Sequence, residues 1–177
     1  NRNKIYKPIK KNVNRNKKIY LKMIENIIKK FSNSYYKFNT FLISKRFKKF
    51  GKNSLIQTGC IINHPNKIEI GQNVFVGKQV WLNADKWRED DRASLIIKDG
   101  VHISRFTHIN AFKDVIIEED VLIGENVYLG DTDHVRKSKE IAIKSQGHEF
   151  KGRVLLKKGS LICKNAIIAA GVTIGKN

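Results

Sequence analysis

A mainly β domain, a parallel β-helix wound from six-residue units and preceded by a basic N-terminal arm and helix, is the fold this sequence predicts. Three observations carry that expectation. Aliphatic residues recur at every sixth position over most of the chain beyond residue 70. A small or turn-forming residue often follows each of them. The formal charge of +19 is concentrated ahead of the pattern, because residues 1–53 hold 17 of the 35 Lys and Arg but only one of the 16 acids, Glu25.

The N-terminal region spans residues 1–53. Residues 1–16 are polar and basic, with Pro8 and five Asn, and read as a disordered arm. Over 17–31 the spacing becomes helical, with Tyr20, Leu21, Ile24, Ile27, Ile28 and Phe31 recurring mostly at three and four. Lysines flank that stripe. Such a helix either docks on the main domain or a neighbouring subunit, or makes peripheral contact with an anionic membrane. A second basic cluster covers residues 45–52.

The body, 54–177, carries four tracks of period six. They are Ile70, Val76, Leu82; Ile97, Ile103, Ile109; Ile117, Ile123, Leu129; and Leu156, Ile162, Ile168, Ile174. Each unit supplies one short strand and one turn, and three units make a triangular coil of about 18 residues that stacks on the next by parallel pairing. The aliphatic residue points inward. Gly or Asn just after it, as at Gly71 or Gly124, is expected to let the chain turn. Two insertions interrupt the coils. Residues 84–94 are charged around Trp87, and residues 135–151 are Lys-rich and contain Gly147-His148. Loops at a solenoid corner often build a binding face. A two-residue slip between Ile109 and Ile117 indicates a bulged corner at 111–114.

Two Cys in 177 residues make no disulfide framework, so a reduced, cytoplasmic protein is expected, either free or peripheral at the inner face of the cytoplasmic membrane. No apolar run is long enough to span a bilayer, and no secretory signal opens the chain. The chain starts without Met and stops in mid-repeat, so further coils are expected beyond Asn177.

The run 117–134, from Ile117 to Asp131-Thr132-Asp133-His134, resembles the catalytic coil of the hexapeptide-repeat acyltransferases. The similarity is strongest to galactoside and maltose O-acetyltransferases and to surface-polysaccharide O-acetyltransferases. Gly152-Arg153-Val154, followed by Leu156 to Gly175 and closing Ala170-Gly171-Val172-Thr173-Ile174-Gly175, is similar to the family's acyl-CoA segment. Thr132 departs from the Asp-His-Asp/Asn-His ending of the polysaccharide group, and Leu161-Ile162-Cys163 departs from the family's Trp and Ile-Gly.

The resemblance implies a left-handed parallel β-helix, acetyl-CoA as co-substrate, no metal, a homotrimer, and a sugar or oligosaccharide acceptor in capsule or related polysaccharide biosynthesis. It makes His134 the general base, a role suited to a side chain whose ordinary pKa is about 6.5. Asp131 or Asp133 would orient the imidazole. Asn110 would line the acceptor site, or else be a corner Asn with left-handed backbone. Cys163 and Lys164 would offer backbone amides to the oxyanion, and Ala169 and Ala170 would let the pantetheine arm pass closely. A mobile acceptor pocket is expected in 135–151.

Two other readings start from the same residues. His102, His108 and His134 would be the three zinc ligands of a gamma-class carbonic-anhydrase-like protein. The basic N-terminus alone would suggest nucleic-acid binding, but no recognised nucleic-acid motif accompanies it, and no nucleic-acid partner is expected.

Overall fold

The computed structural model describes residues 6–85 and 92–177. It begins with one helix, α1 (Tyr6–Ser44). The arm expected to be disordered is therefore helical from Tyr6, and residues 1–5 lie outside the described residues. Pro8 is tolerated because it falls in the first turn, where no intrahelical N–H is needed. The lysines are good helix formers, and the helix runs well past residue 31. The chain divides into two compact units, Asn1–Phe38 and Asn39–Asn177.

In the second unit the last turn of the helix is tied to the first strands. The buried Thr40 hydroxyl accepts the Ile56 N–H at 3.0 Å and donates to the Ile56 carbonyl at 3.1 Å. From there the chain winds in coils. Coil 1 holds β1 (Lys49–Phe50), β2 (Leu55–Ile56) and β3 (Ile61–Asn63). Coil 2 holds β4 (Ile68–Ile70), β5 (Phe75–Val76) and β6 (Trp81–Ala84). Coil 3 holds β7 (Leu95–Ile97), β8 (His102–Ile103) and β9 (His108–Ala111). Coil 4 holds β10 (Val115–Ile117), β11 (Leu122–Ile123) and β12 (Tyr128–Gly130). A hairpin of β13 (Thr132–His134) and β14 (His148–Phe150) intervenes. Coil 5 holds β15 (Val154–Leu156), β16 (Leu161–Ile162) and β17 (Ile167–Ile168), and β18 (Thr173–Ile174) opens the next.

The first strands of the coils stack as face A (β1-β4-β7-β10-β15-β18), the second as face B and the third as face C. All of these pairings are parallel, and among the described residues only β13 and β14 pair antiparallel. Because β1 pairs with β4, the coils start ahead of residue 54. The inward residue there is Phe50, an aromatic in the track otherwise held by aliphatics, and it sits inside the basic run 45–52. The fold is the left-handed parallel β-helix.

The period-six residues fill the prism. Those from Ile70 to Leu156 are essentially inaccessible, and Ile162 and Ile168 nearly so. One coil-to-coil step is 20 residues where Lys49 pairs with Glu69, and 18 where Leu155 pairs with Thr173. The extra residues and both insertions fall at one corner, between faces C and A. Most of the insertion at 84–94 lies outside the described residues.

The turns depart from expectation in one respect. The left-handed residue is the third after the aliphatic, as at Asn73, Asp120, Asn126 and Asn165, with φ of 55°, 60°, 56° and 63°. The residue directly after the aliphatic faces the neighbouring coil at close range. A Cβ on Gly124 would stand 2.7 Å from the Lys164 nitrogen and 2.9 Å from the Ile162 carbonyl oxygen. Glycine is required there by coil spacing, not by φ.

Candidate functional site

The corner between faces C and A is organised by a buried carboxylate. Asp131, inaccessible to solvent, accepts the backbone N–H groups of Phe112, Lys113 and Asp114 at 2.9, 2.7 and 2.6 Å. Those three amides form the bulged corner one coil earlier, where no ladder partner exists for them. The expectation that Asp131 orients His134 is therefore replaced. Both of its oxygens are engaged by that corner.

From Asp131 the chain leaves the prism as β13, which pairs with β14 so that Thr132 faces Phe150, Asp133 faces Glu149, and His134 faces His148. The two imidazoles lie with centroids 4.3 Å apart and planes 40° apart. His148 also meets the Phe112 ring at 5.5 Å, and the Lys113 ammonium lies 5.2 Å from the Phe150 ring centroid. The hairpin is thus held on the corner that Asp131 closes. The insertion is stitched by Gln146, whose side-chain oxygen accepts the N–H groups of Lys137 and Ser138 and whose nitrogen donates to the Ser138 and Ile141 carbonyls. The pocket expected to be mobile is built on this bonded loop.

His134 opens on a shallow groove of about 430 Å³, lined by Asp133, Arg136, Lys137, Glu149 and Lys151. Asp133 accepts the His134 backbone N–H at 2.7 Å and pairs with the Arg136 guanidinium. That amide, with the Arg136 guanidinium, holds the Asp133 carboxyl below the ordinary carboxylate range. The Lys151 ammonium, 2.7 Å from Glu149, lowers that carboxyl too, with Lys137 adding to the effect. The groove therefore presents an imidazole among ionised groups of both signs.

Asn110 is in β9, not at a left-handed corner. It belongs to a ladder of outward amides on face C. Asn63 donates to Asn83 at 2.9 Å, Asn83 donates to Asn110 at 2.6 Å, and Asn110 reaches the Thr132 hydroxyl at 3.5 Å. Its oxygen is committed to the ladder, while its nitrogen makes only that long contact.

One chain brings some of the expected residues together and separates others. Asp131, Asp133, His134 and Asn110 gather at the exit of coil 4. Ala169 and Ala170 follow face C at the same corner one coil on, with Ala169 exposed and Ala170 half-buried. Cys163 and Lys164, both exposed, stand at the corner between faces B and C. Sequence reasoning did not single out Gln146, Arg136 or Glu149, nor pair His148 with His134. The alternation of Thr132-Asp133-His134 and His148-Glu149-Phe150 about Gly147 was the available signal.

The zinc reading meets a different arrangement. His102 is stacked on Phe75 in face B at 4.6 Å, and His108 on Trp81 in face C at 4.2 Å with planes 3° apart, whereas His134 is on the hairpin. Among the described residues no three His, Cys, Asp or Glu side chains converge in a way that could hold a metal ion.

Residues 114–130 match the family described as the hexapeptide repeat of succinyl-transferase. Among solved structures the chain is similar to AntD, an N-acyltransferase from Bacillus cereus. One mutant of AntD in complex with dTDP and coenzyme A superposes with a TM-score of 0.50 at 19% identity, over 76% of this chain and 77% of that one. A second mutant with the same ligands gives 0.49 at 20%, over 76% and 74%. AntD with dTDP and 3-hydroxybutyryl-CoA gives 0.43 at 20%, over 78% of each chain. No curated protein matches the chain. With a hexapeptide repeat matched at residues 114–130 in coil 4 and three parallel faces around one aliphatic core, this chain has the left-handed parallel β-helix fold.

Proposed function

We propose that the chain is an acyl-CoA-dependent O-acetyltransferase. It moves an acetyl group from acetyl-CoA to a hydroxyl of a sugar, in the synthesis of a capsular or other surface polysaccharide, with His134 as general base. The observation that carries this reading is His134 itself. Its imidazole is exposed over a polar groove and packed against His148, on a hairpin fixed to the prism through Asp131.

A sugar hydroxyl is a poor nucleophile at neutral pH and needs a base within hydrogen-bond reach as it attacks. The hydroxyl oxygen bonds to the thioester carbonyl carbon while its proton passes to His134. The carbon–sulfur bond then breaks, and the proton leaves His134 for the departing sulfur. Asp133 stabilises the imidazolium electrostatically from the adjacent position. The Asn110 amide nitrogen, held only by its 3.5 Å contact, is available to a substrate oxygen. Acetyl-CoA supplies the activated acyl group. Ala169 and Ala170 leave room for its arm, and the amides at Cys163 and Lys164 serve the oxyanion. Those amides stand at another corner of the prism from His134, so the site is completed by a neighbouring copy in a cyclic trimer.

The test is transfer of label from acetyl-CoA to a panel of nucleotide sugars and oligosaccharides. The panel includes amino sugars, because AntD is an N-acyltransferase. Labelled ester on a hydroxyl is expected. Amide formed on an amino sugar, with no ester, would replace the hydroxyl reading, and no transfer to any acceptor would end it.

A further inference from the structure

The helix carries a surface that acetyl transfer does not use. Within the first unit, Tyr20, Ile24, Ile27, Ile28, Phe31 and Phe38 are all substantially exposed, and Phe31 reaches 74%. At about 100° per residue they fall within an arc of roughly 100°, a continuous stripe along one side of the helix. Lys22, Lys29, Lys30 and Lys37 occupy the other side, all exposed. A stripe this long and apolar is not stable facing water and calls for a partner.

We infer that this stripe is a docking surface for an anionic phospholipid bilayer, with the helix lying in the plane of the interface. Charge decides between occupants. Residues 1–53 hold 17 Lys and Arg against Glu25 alone. Helices of a second copy packed along the stripe would bring lysines together with almost no acid to pair them. An anionic surface instead attracts every one of them. The aromatic share of the stripe suits the headgroup boundary, and the lysine stems can run along the apolar surface with their ammonium groups in the headgroups. No helix among the described residues is long and apolar enough to cross the bilayer, so the geometry is peripheral. This inference is independent of the acetyl-transfer reading.

The experiment is flotation of the full chain with phosphatidylcholine vesicles, pure or containing roughly one part in three phosphatidylglycerol. Binding should require the anionic lipid and fall as salt is raised. Ile27→Ser with Phe31→Ser should weaken partitioning by about tenfold or more. Lys29→Gln with Lys30→Gln should weaken it on the order of tenfold. Both pairs are exposed, so the thermal unfolding of the coils should be unchanged, and that measurement guards against a misfolded variant. Equal binding to the two vesicle types, or partitioning indifferent to the Ser pair, would overturn the inference. So would a chain that ignores vesicles while the Ser pair lowers its sedimenting mass, an outcome that gives the stripe to a second copy.

Discussion

Asp131 and His134 stand three positions apart and do unlike work, a difference that predicts opposite phenotypes. The buried Asp131 carboxylate accepts three backbone amides of the half-buried corner at 112–114. Asp131→Ala leaves all three without their acceptor, which should cost about 3 kcal/mol in chemical denaturation. A loss below about 0.5 kcal/mol would mean that the corner re-forms around water. His134 is exposed, so His134→Ala should leave the unfolding midpoint unchanged while lowering acetyl transfer about a hundredfold or more in steady-state assays. Near-normal activity in that variant would remove His134 from the role of base. His108 makes a third case. It lies between Trp81 and Tyr128 with its Nε2 buried and unpaired, and burial lowers its pKa. The folded chain then resists protonation that the unfolded chain accepts. Stability is full above the ordinary histidine range and declines as pH falls through about 6.5 toward the lower folded value. His108→Phe should flatten that decline when melting temperatures are compared between roughly pH 7 and 5. An unchanged slope would transfer the effect to His102, whose pKa burial also lowers. The roles of Asp131 and His108 were not readable from the chain, because their partners come from other coils.

The strand-and-turn units were legible for a simple reason. One inward position per unit is buried by neighbours above and below, so nearly every unit repeats an aliphatic residue there, from Ile70 to Ile168. Coil 1 was harder to see because Phe50 stands in the track amid basic residues. The helix was readable at its periodic centre but not at its ends, where composition argued for disorder while lysine propensity and a tolerated first-turn proline favoured helix. The turn glycines were found for the wrong reason. Sequence marks that a small residue is needed, yet the distance to the next coil exists only once coils stack. Gly124 makes the difference measurable. Gly124→Ala requires no unusual φ, so a purely local turn would gain slightly from the substitution. With a Cβ 2.7 Å from the Lys164 nitrogen, coils 4 and 5 must part, and a cost of about 1–3 kcal/mol is expected in urea denaturation. Unchanged or raised stability would show that the coils separate without penalty.

At the scale of the whole molecule, the proposed site calls for more than one chain. His134 and the amides of Cys163 and Lys164 stand at different corners of the prism, whereas a base and an oxyanion donor must flank one carbonyl. A rotated copy that places its corner between faces B and C against the hairpin would satisfy that demand, and a three-fold ring closes such a contact on itself. The surfaces agree with this. The two faces that meet at that corner expose Leu122 and Leu161 on one side, and Ile61, Trp81 and Ile167 on the other, with Ile167 at 76%. The prediction is a sedimenting species of three times the 20.4 kDa chain mass. Leu161→Lys with Ile167→Lys should reduce it to single chains that keep their thermal unfolding, since both side chains already face solvent in one chain. Acetyl transfer should fall with the trimer. A wild-type chain that sediments as one copy while transferring acetyl at full rate would rule out the shared site and require His134 to find its oxyanion donors within its own coils.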